Sequence, residues 1–309
     1  MSTVAVVMAT YNGEKYIREQ IDSILASNYQ DFELFIYDDG SKDDTVPILR
    51  TYEEQNPSRV HVHQNEKNLG LVRNFIEGLS KTTMDYVMFC DQDDVWKSNK
   101  IGITLKRMRN MEAQYGKGMP FAVFTDTSVV DSDLKELYPS FFKSNHLDPT
   151  KTDLSHLLME NKLIGCTVMI NAALRKILQS NRMPLHAKYH DWWVALIAAS
   201  FGKIGFVNES TLMYRQHGGN IVGGADFKSY VKNRLQSLHQ QKESILSLEK
   251  QAWEFVHLYG EQLSVEKRMI IQEFSELGEA GFLQKRQIIL KKKYLKTGLV
   301  RNIGLLIII

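Results

Sequence analysis

The chain has 309 residues, with 38 Lys and Arg against 36 Asp and Glu, so its formal net charge is only +2. That balance argues against a dedicated nucleic-acid binder, and a hydrophobic fraction of 43% supports a packed core. The balance hides a split, because residues 285–309 hold seven basic residues and no acid, leaving 31 basic against 36 acidic residues elsewhere. An acidic body with a short basic end points to a docking tail. Two cysteines, Cys90 and Cys166, are too few for a disulfide framework and fit a reducing compartment. The opening MSTVAVVMATYNG lacks the positive n-region of a secretory signal, and no run reaches the ~18 apolar residues of a membrane span. The expectation is a cytoplasmic protein, soluble or peripheral on a membrane.

In chain order, Val4–Ala9, Leu34–Tyr37 and Tyr86–Phe89 are continuous apolar runs, the pattern of strands buried on both faces of a parallel sheet. Helical spacing lies between them. Ile17, Ile21, Ile24 and Leu25 follow the Asn12-Gly13 turn, Val46 and Leu49 follow Gly40–Asp44, and Phe75, Ile76 and Leu79 follow Leu69-Gly70. Strands and helices alternating in this way form βαβ units, with shorter extended runs near Val60–His63, Phe121–Thr125 and Thr167–Ile170 completing the sheet. Right-handed crossovers then align the strand C-terminal ends along one edge, where open α/β sheets bind ligands. Beyond about residue 225, Val231, Leu235, Leu238, Ile245, Leu248, Ala252, Phe255 and Tyr259 keep the spacing of a long amphipathic helix. A second helix over about Val265 to Leu277 has Ser264 as its cap. The predicted organisation is an α/β domain over 1–222 and a helical C-terminal extension over 223–309.

Acids gather where the strands end. Asp38-Asp39-Gly40-Ser41 follows the second strand and Asp91-Gln92-Asp93-Asp94 the fourth. Carboxylates this close repel one another, and a divalent cation bridging to a substrate diphosphate would relieve that. Taken singly, each cluster also reads as turn chemistry, the second capping a helix that starts near Trp96-Lys97.

With Thr10-Tyr11-Asn12 after the first strand, these stretches fall on one edge, and there the chain resembles the family-2 glycosyltransferases of the GT-A fold. The matching segments are Val4–Gly13, Asp38–Thr45, Asn65–Asn74 and Phe89–Trp96, within roughly residues 3–220. The resemblance implies a Rossmann-like, mainly parallel central sheet flanked by helices, and a divalent metal, Mg2+ or Mn2+. It implies that Thr10, Tyr11, Asn12, Asp38 and Asp39 surround the nucleotide, with Asn68, Gly70 and Arg73 approaching the donor. A solvated helix position is the other reading of Arg73. Asp91 and Asp93 would form a DxD element around Gln92, with Asp93 as metal ligand.

In His190-Asp191-Trp192-Trp193 the family's Glu-Asp pair becomes His-Asp, which leaves Asp191 as the implied catalytic base; a helix cap is its plainer reading. Trp192 and Trp193 read either as a sugar-stacking wall that desolvates Asp191 or as helix core. In Met213–Asn220, the family-like Arg-x-His pattern implies His217 as a metal or diphosphate ligand, with Arg215 beside the leaving diphosphate; a structural histidine is the plainer reading.

The wording Asp-Gln-Asp-Asp-x-Trp and Tyr-Arg-Gln-His-Gly-x-Asn is most similar to bacterial rhamnosyltransferases of rhamnan and other cell-wall polysaccharides. That implies inverting transfer from dTDP-β-L-rhamnose to a polyprenyl-diphosphate-linked glycan, with a UDP-hexose or UDP-N-acetylhexosamine donor as the alternative. A dinucleotide oxidoreductase would need G-x-G-x-x-G after the first strand and a pyrophosphorylase a Gly-rich basic signature; neither is there. A non-catalytic nucleotide-sugar binding module is a further rival, against which Asp191 and both DxD acids argue. The basic tail is expected to anchor on the anionic inner face of the cell membrane, with a basic solvated helix or a homo-oligomer contact through the C-terminal helices as the other readings.

Overall fold

Every residue of β1 (Val4–Thr10) is buried, so its backbone must pair on both edges and its side chains must pack on both faces. The computed structural model describes residues 4–180, 183–218 and 238–309. In it, β1 pairs in parallel with β2 (Phe32–Asp38) and β4 (Tyr86–Cys90), and β2 pairs in parallel with β3 (Val60–Gln64). The expected crossover helices are present as α1 (Ile17–Leu25), α2 (Thr45–Gln55) and α3 (Leu71–Lys81). Val6, Met8, Ile21, Leu34 and Met88 pack between these layers.

The other half of the sheet contains β5 (Val95–Trp96), β6 (Phe121–Val130), β7 (Glu136–Tyr138), β8 (Met169–Asn171) and β9 (Lys203–Arg215). The order is β3-β2-β1-β4-β8-β6-β9-β5, with β7 on β6. Here the sheet turns mixed: β8 runs antiparallel to β4 and β6, and β9 parallel to β6 but antiparallel to β5.

Two stretches depart from the sequence reading. The stretch at Trp96-Lys97 does not start a helix, because Val95 and Trp96 pair with Met213 and Leu212, and α4 (Lys100–Tyr115) begins only at Lys100. Strand β9 was not anticipated either. Its exposed Asn208 and Glu209 interrupt the apolar positions, and its pairing with β6 shifts register between Thr125 and Ser128, so no two-residue period survives.

The helices α5 (Phe141–Ser144), α6 (Leu154–Met159), α7 (Ala172–Ser180) and α8 (His190–Phe201) punctuate this half. Then come α9 (Leu238–Tyr259), α10 (Val265–Ser275), α11 (Phe282–Lys292) and α12 (Leu299–Ile308). Ser264 caps α10 as expected, its hydroxyl accepting from the Lys267 N–H. The described residues divide into two units. One holds 4–141, 164–180 and 203–218, and the other 142–163, 183–202 and 238–309. The helical unit therefore recruits chain well before the expected boundary at 222, which itself lies outside the described residues together with Gly219, Asn220, Val231 and Leu235.

Within the helical unit α9 packs on α6, α10 and α12. Trp193 lies edge-on to Phe255 at 5.1 Å, and the Tyr294 hydroxyl donates to the Ile270 carbonyl at 2.7 Å. The basic end of the chain is part of this core rather than a free tail. Ile289, Tyr294, Arg301 and Leu305 are buried, Arg301 donates to the Asn145 carbonyl at 2.7 Å and pairs with Glu160, and Lys292 pairs with Glu273. Burial would raise the Glu160 carboxyl, but the Lys162 and Arg301 charges beside it outweigh that and hold it below its ordinary value.

Two outcomes follow from this packing. Removing residues 285–309 strips Ile289, Tyr294 and Leu305 from the core and leaves Glu160 and Lys162 without Thr297 and Arg301. Thermal unfolding of the truncated chain should show a loss of at least about 3 kcal/mol. His190 is buried, and desolvation pushes its ring from 6.5 down to about 3. The unfolded chain takes up this proton as pH falls through 6.5 while the folded chain does not until about 3, so stability falls across that window. In denaturant titrations at pH about 4.5 and about 7.5, His190→Leu should show a smaller difference than the parent chain.

Candidate active site

Register sets the floor of the site. Thr10 pairs with Asp38 and Met8 with Cys90, so the residues that follow β1, β2 and β4 emerge at one edge of the sheet. After β1, Asn12 adopts a left-handed φ of 49°, its N–H donating to Ser41 Oγ at 2.9 Å while its Oδ1 accepts from the Lys42 N–H at 2.8 Å. Gln92 holds the Tyr11 backbone by both its polar groups: Oε1 accepts from the Tyr11 N–H at 2.8 Å and Nε2 donates to the Tyr11 carbonyl at 3.1 Å. The Tyr11 side chain stays 48% exposed, leaving a fixed backbone under an accessible ring. Gly13 makes room for this grip, since a Cβ there would sit 2.4 Å from Gln92 Oε1.

Asp38 and Asp39 have different surroundings. Asp38 is fully buried and accepts from Thr10 Oγ1 at 3.0 Å, from the N–H groups of Gly40 and Ser41, and from the Ser41 hydroxyl. That corrects the expectation of a donor contact for Asp38, and Thr10 likewise turns its hydroxyl inward. Asp39 ties down the 65–70 loop. Its carboxylate accepts from the N–H groups of Leu69 and Gly70 at 2.7 and 2.8 Å and from Asn65 Nδ2 at 3.0 Å. Asn68 shapes the same loop, donating to the Asp39 carbonyl and accepting from the Gly70 N–H. Arg73 is half exposed and pairs with Glu77 one turn along α3 at 2.6 Å.

Strand β9 delivers the remaining groups. Arg215 is only 2% exposed, and its nitrogens are committed inside the protein. Nε donates to the Asp93 carbonyl at 2.8 Å, Nη1 to the Ser132 carbonyl at 2.7 Å, and Nη2 pairs with Glu19. Its backbone N–H donates to Asp94 Oδ1. Arg215 is therefore a clamp on the DxD loop and not the diphosphate contact expected of it. His217 continues outward, with Nε2 2.8 Å from Asp93 Oδ2 and both side chains partly exposed. Tyr16 backs the pair, its ring 4.9 Å from the His217 ring and 4.5 Å from the Arg215 guanidinium. Tyr16 and Glu19 escaped the sequence reading because an aromatic and an acid at the start of α1 look like ordinary helix surface without β9 beside them.

A carboxylate oxygen beside an imidazole nitrogen is a workable donor set for a divalent cation, so the residues at this edge fit the implied metal. Ligand atoms of Asp91, Asp94 and Cys166 lie within 4.8 Å of one another next to it. Asp94 is fully buried, and burial first, then the Asp93 charge, pushes its carboxyl from 3.8 up to about 7. Desolvation brings buried Lys100 from 10.5 down to about 8, its ammonium 4.7 Å from the Trp96 ring.

In the helical unit, Asp191 occupies the first turn of α8. Tyr189 is the N-cap, and Asp191 Oδ1 accepts from the Trp192 N–H at 2.6 Å. The tryptophans do not form a wall for a sugar. Trp192 is buried with Nε1 donating to the Leu157 carbonyl at 2.6 Å, and Trp193 is fully buried against Phe255 and Tyr259.

Among known proteins, a family model described as glycosyl transferase family 2 matches residues 5–168. The dTDP-rhamnosyl transferase RfbG of Shigella flexneri is 29% identical over 237 residues, spanning 73% of this chain and 77% of that protein. The structure of S. aureus TarS 1–349 in complex with UDP-GlcNAc aligns with a TM-score of 0.58 at 20% identity, covering 94% of this chain and 76% of that one. Mannosyltransferase PcManGT from Pyrobaculum calidifontis, in complex with GDP-Man and Mn2+, aligns with a TM-score of 0.53 at 14% identity, covering 94% and 84%. The structural likenesses establish a shared GT-A fold.

The Gln92 grip predicts a separable defect. Gly13→Ala should displace Gln92 and release the Tyr11 backbone, weakening nucleoside diphosphate binding by about tenfold in a calorimetric titration. Gln92→Ala should do the same with no steric change, so a titration in which only Gly13→Ala weakens binding would remove Gln92 from the account.

Proposed function

This chain belongs to glycosyl transferase family 2, and we propose that it moves L-rhamnose from dTDP-β-L-rhamnose to a hydroxyl of a polyprenyl-diphosphate-linked glycan, inverting the anomeric centre. The Asp93–His217 pair at the sheet edge, next to the fixed Tyr11 turn, carries the reading, because it sets metal-binding groups where a nucleoside diphosphate would leave. Likeness to a protein named as a dTDP-rhamnosyl transferase supports the donor.

In this mechanism Tyr11 stacks on the base, Asp39 accepts a base N–H, and Thr10, Asn12 and Asn68 shape the turn and loop that present them. Asp91 orients hydroxyls of the donor. Asp93 and His217 would hold Mg2+ or Mn2+, which when bound offsets charge on the departing diphosphate. Asp191 takes the proton of the acceptor hydroxyl, and the freed oxygen attacks the anomeric carbon on the face opposite the diphosphate. The bond from that carbon to the diphosphate oxygen breaks, its electron pair leaves with the diphosphate, and the β donor becomes an α-linked product. A UDP-hexose or UDP-N-acetylhexosamine donor is the second reading, favoured by the fold likeness to a UDP-GlcNAc complex. A lipid-linked acceptor would place the protein peripherally at the cytoplasmic face of a membrane. No helix among the described residues is long and apolar enough to cross one.

With Mg2+ or Mn2+ and a lipid-linked acceptor, dTDP-rhamnose should be consumed and UDP sugars should not; turnover confined to a UDP sugar would replace the donor. Asp191→Asn should slow transfer by roughly 10²–10⁴-fold while nucleotide affinity stays unchanged. If affinity and transfer fell together, Asp191 would not be the base.

A further inference from the structure

Helix α12 is apolar on two sides. Arg301, Leu305 and Ile308 pack it into the helical unit, yet Leu299, Val300, Ile303 and Ile307 are 50–76% exposed on the other side. Their spacing puts those four on one face of the helix. On α11, Phe282, Leu283 and Leu290 are also more than half exposed. Rows of exposed aliphatic side chains at this density signal a non-aqueous partner.

Charge identifies the partner. No acid occurs from 280 to 309, and Lys291 and Lys293 stand exposed where α11 ends, Lys293 breaking the helix with a φ of 58°. A second copy docked face to face would set Lys291 and Lys293 against their own counterparts, and like charges across an interface repel. An anionic bilayer accepts both features, its acyl boundary taking the aliphatic row and its headgroups the lysines. A helix with an outward aliphatic face of this kind can lie in a bilayer interface.

We infer that the outward face of α12, through Leu299, Val300, Ile303 and Ile307, inserts into the interface of an anionic lipid bilayer, with Lys291 and Lys293 on the headgroups. A lipid-linked acceptor gives this face its use, and on that point the inference rests on the transferase reading; lipid binding itself does not.

The test is cosedimentation of the full chain with vesicles of phosphatidylcholine alone or mixed with phosphatidylglycerol. The parent chain should partition onto the mixed vesicles and not the neutral ones. Ile303→Glu with Ile307→Glu should cut that partition by about tenfold or more, with thermal unfolding unchanged, and Leu299→Glu alone should lower it in the same direction. Lys291→Ala with Lys293→Ala should weaken binding chiefly at low salt. Equal partition of parent and Ile303/Ile307 variant would overturn the inference, as would no partition of the parent, or a dimer of the parent that the variant dissolves. Release of dTDP from dTDP-rhamnose without vesicles reports on the transferase reading alone. Vesicle binding without that release would sink the reading and keep the inference.

Discussion

One buried guanidinium organises the sheet edge that carries Asp93 and His217. A charge as enclosed as Arg215 is tolerated only when its donors all find acceptors. Those acceptors are the backbone of Asp93, the backbone of Ser132 and the Glu19 carboxylate, which belong to the DxD loop, the segment after β6 and helix α1. Satisfying one side chain therefore fixes three chain segments at once. His217, two residues on, inherits its position beside Asp93 from that arrangement.

The nucleotide edge uses the same economy of hydrogen bonds. Asp38 closes the turn after β2, Asp39 fastens the 65–70 loop, and Gln92 immobilises the Tyr11 backbone without covering its ring. Each of these three side chains is thus engaged by backbone donors or acceptors. Such preorganisation lowers the ordering cost of binding. It also explains why so many polar residues sit at the edge while only a few of them face outward.

The parallel half of the fold was legible because β1, β2 and β4 are buried on both faces and so read as unbroken apolar runs. Strand β9 was not, since its burial is uneven and its register against β6 slips. That single gap explains the misplacement of Arg215, whose surroundings depend on β5 and β9 pairing across more than a hundred residues. Asp38 misled for a related reason. Neighbouring acids look alike in sequence, and only the structure shows that Asp38 bonds within its own turn while Asp39 fastens the 65–70 loop. The paired tryptophans read equally as wall or core, and the helices that cover them, α6 and α9, decide for core. Treated as one helix, residues 285–303 mix lysines with aliphatics. Broken between Lys293 and Gly298, the same residues give an outward aliphatic row and an inward Arg301.

The proposed transfer depends on Asp93 and His217 forming a metal-dependent site for a nucleoside diphosphate. Calorimetric titration of dTDP with and without Mn2+, on the parent chain and on Asp93→Asn, tests it most directly. Mn2+ should tighten dTDP binding by about tenfold or more in the parent, and Asp93→Asn should remove this gain while keeping the metal-free affinity. Parent affinity that is the same with and without Mn2+ would contradict it.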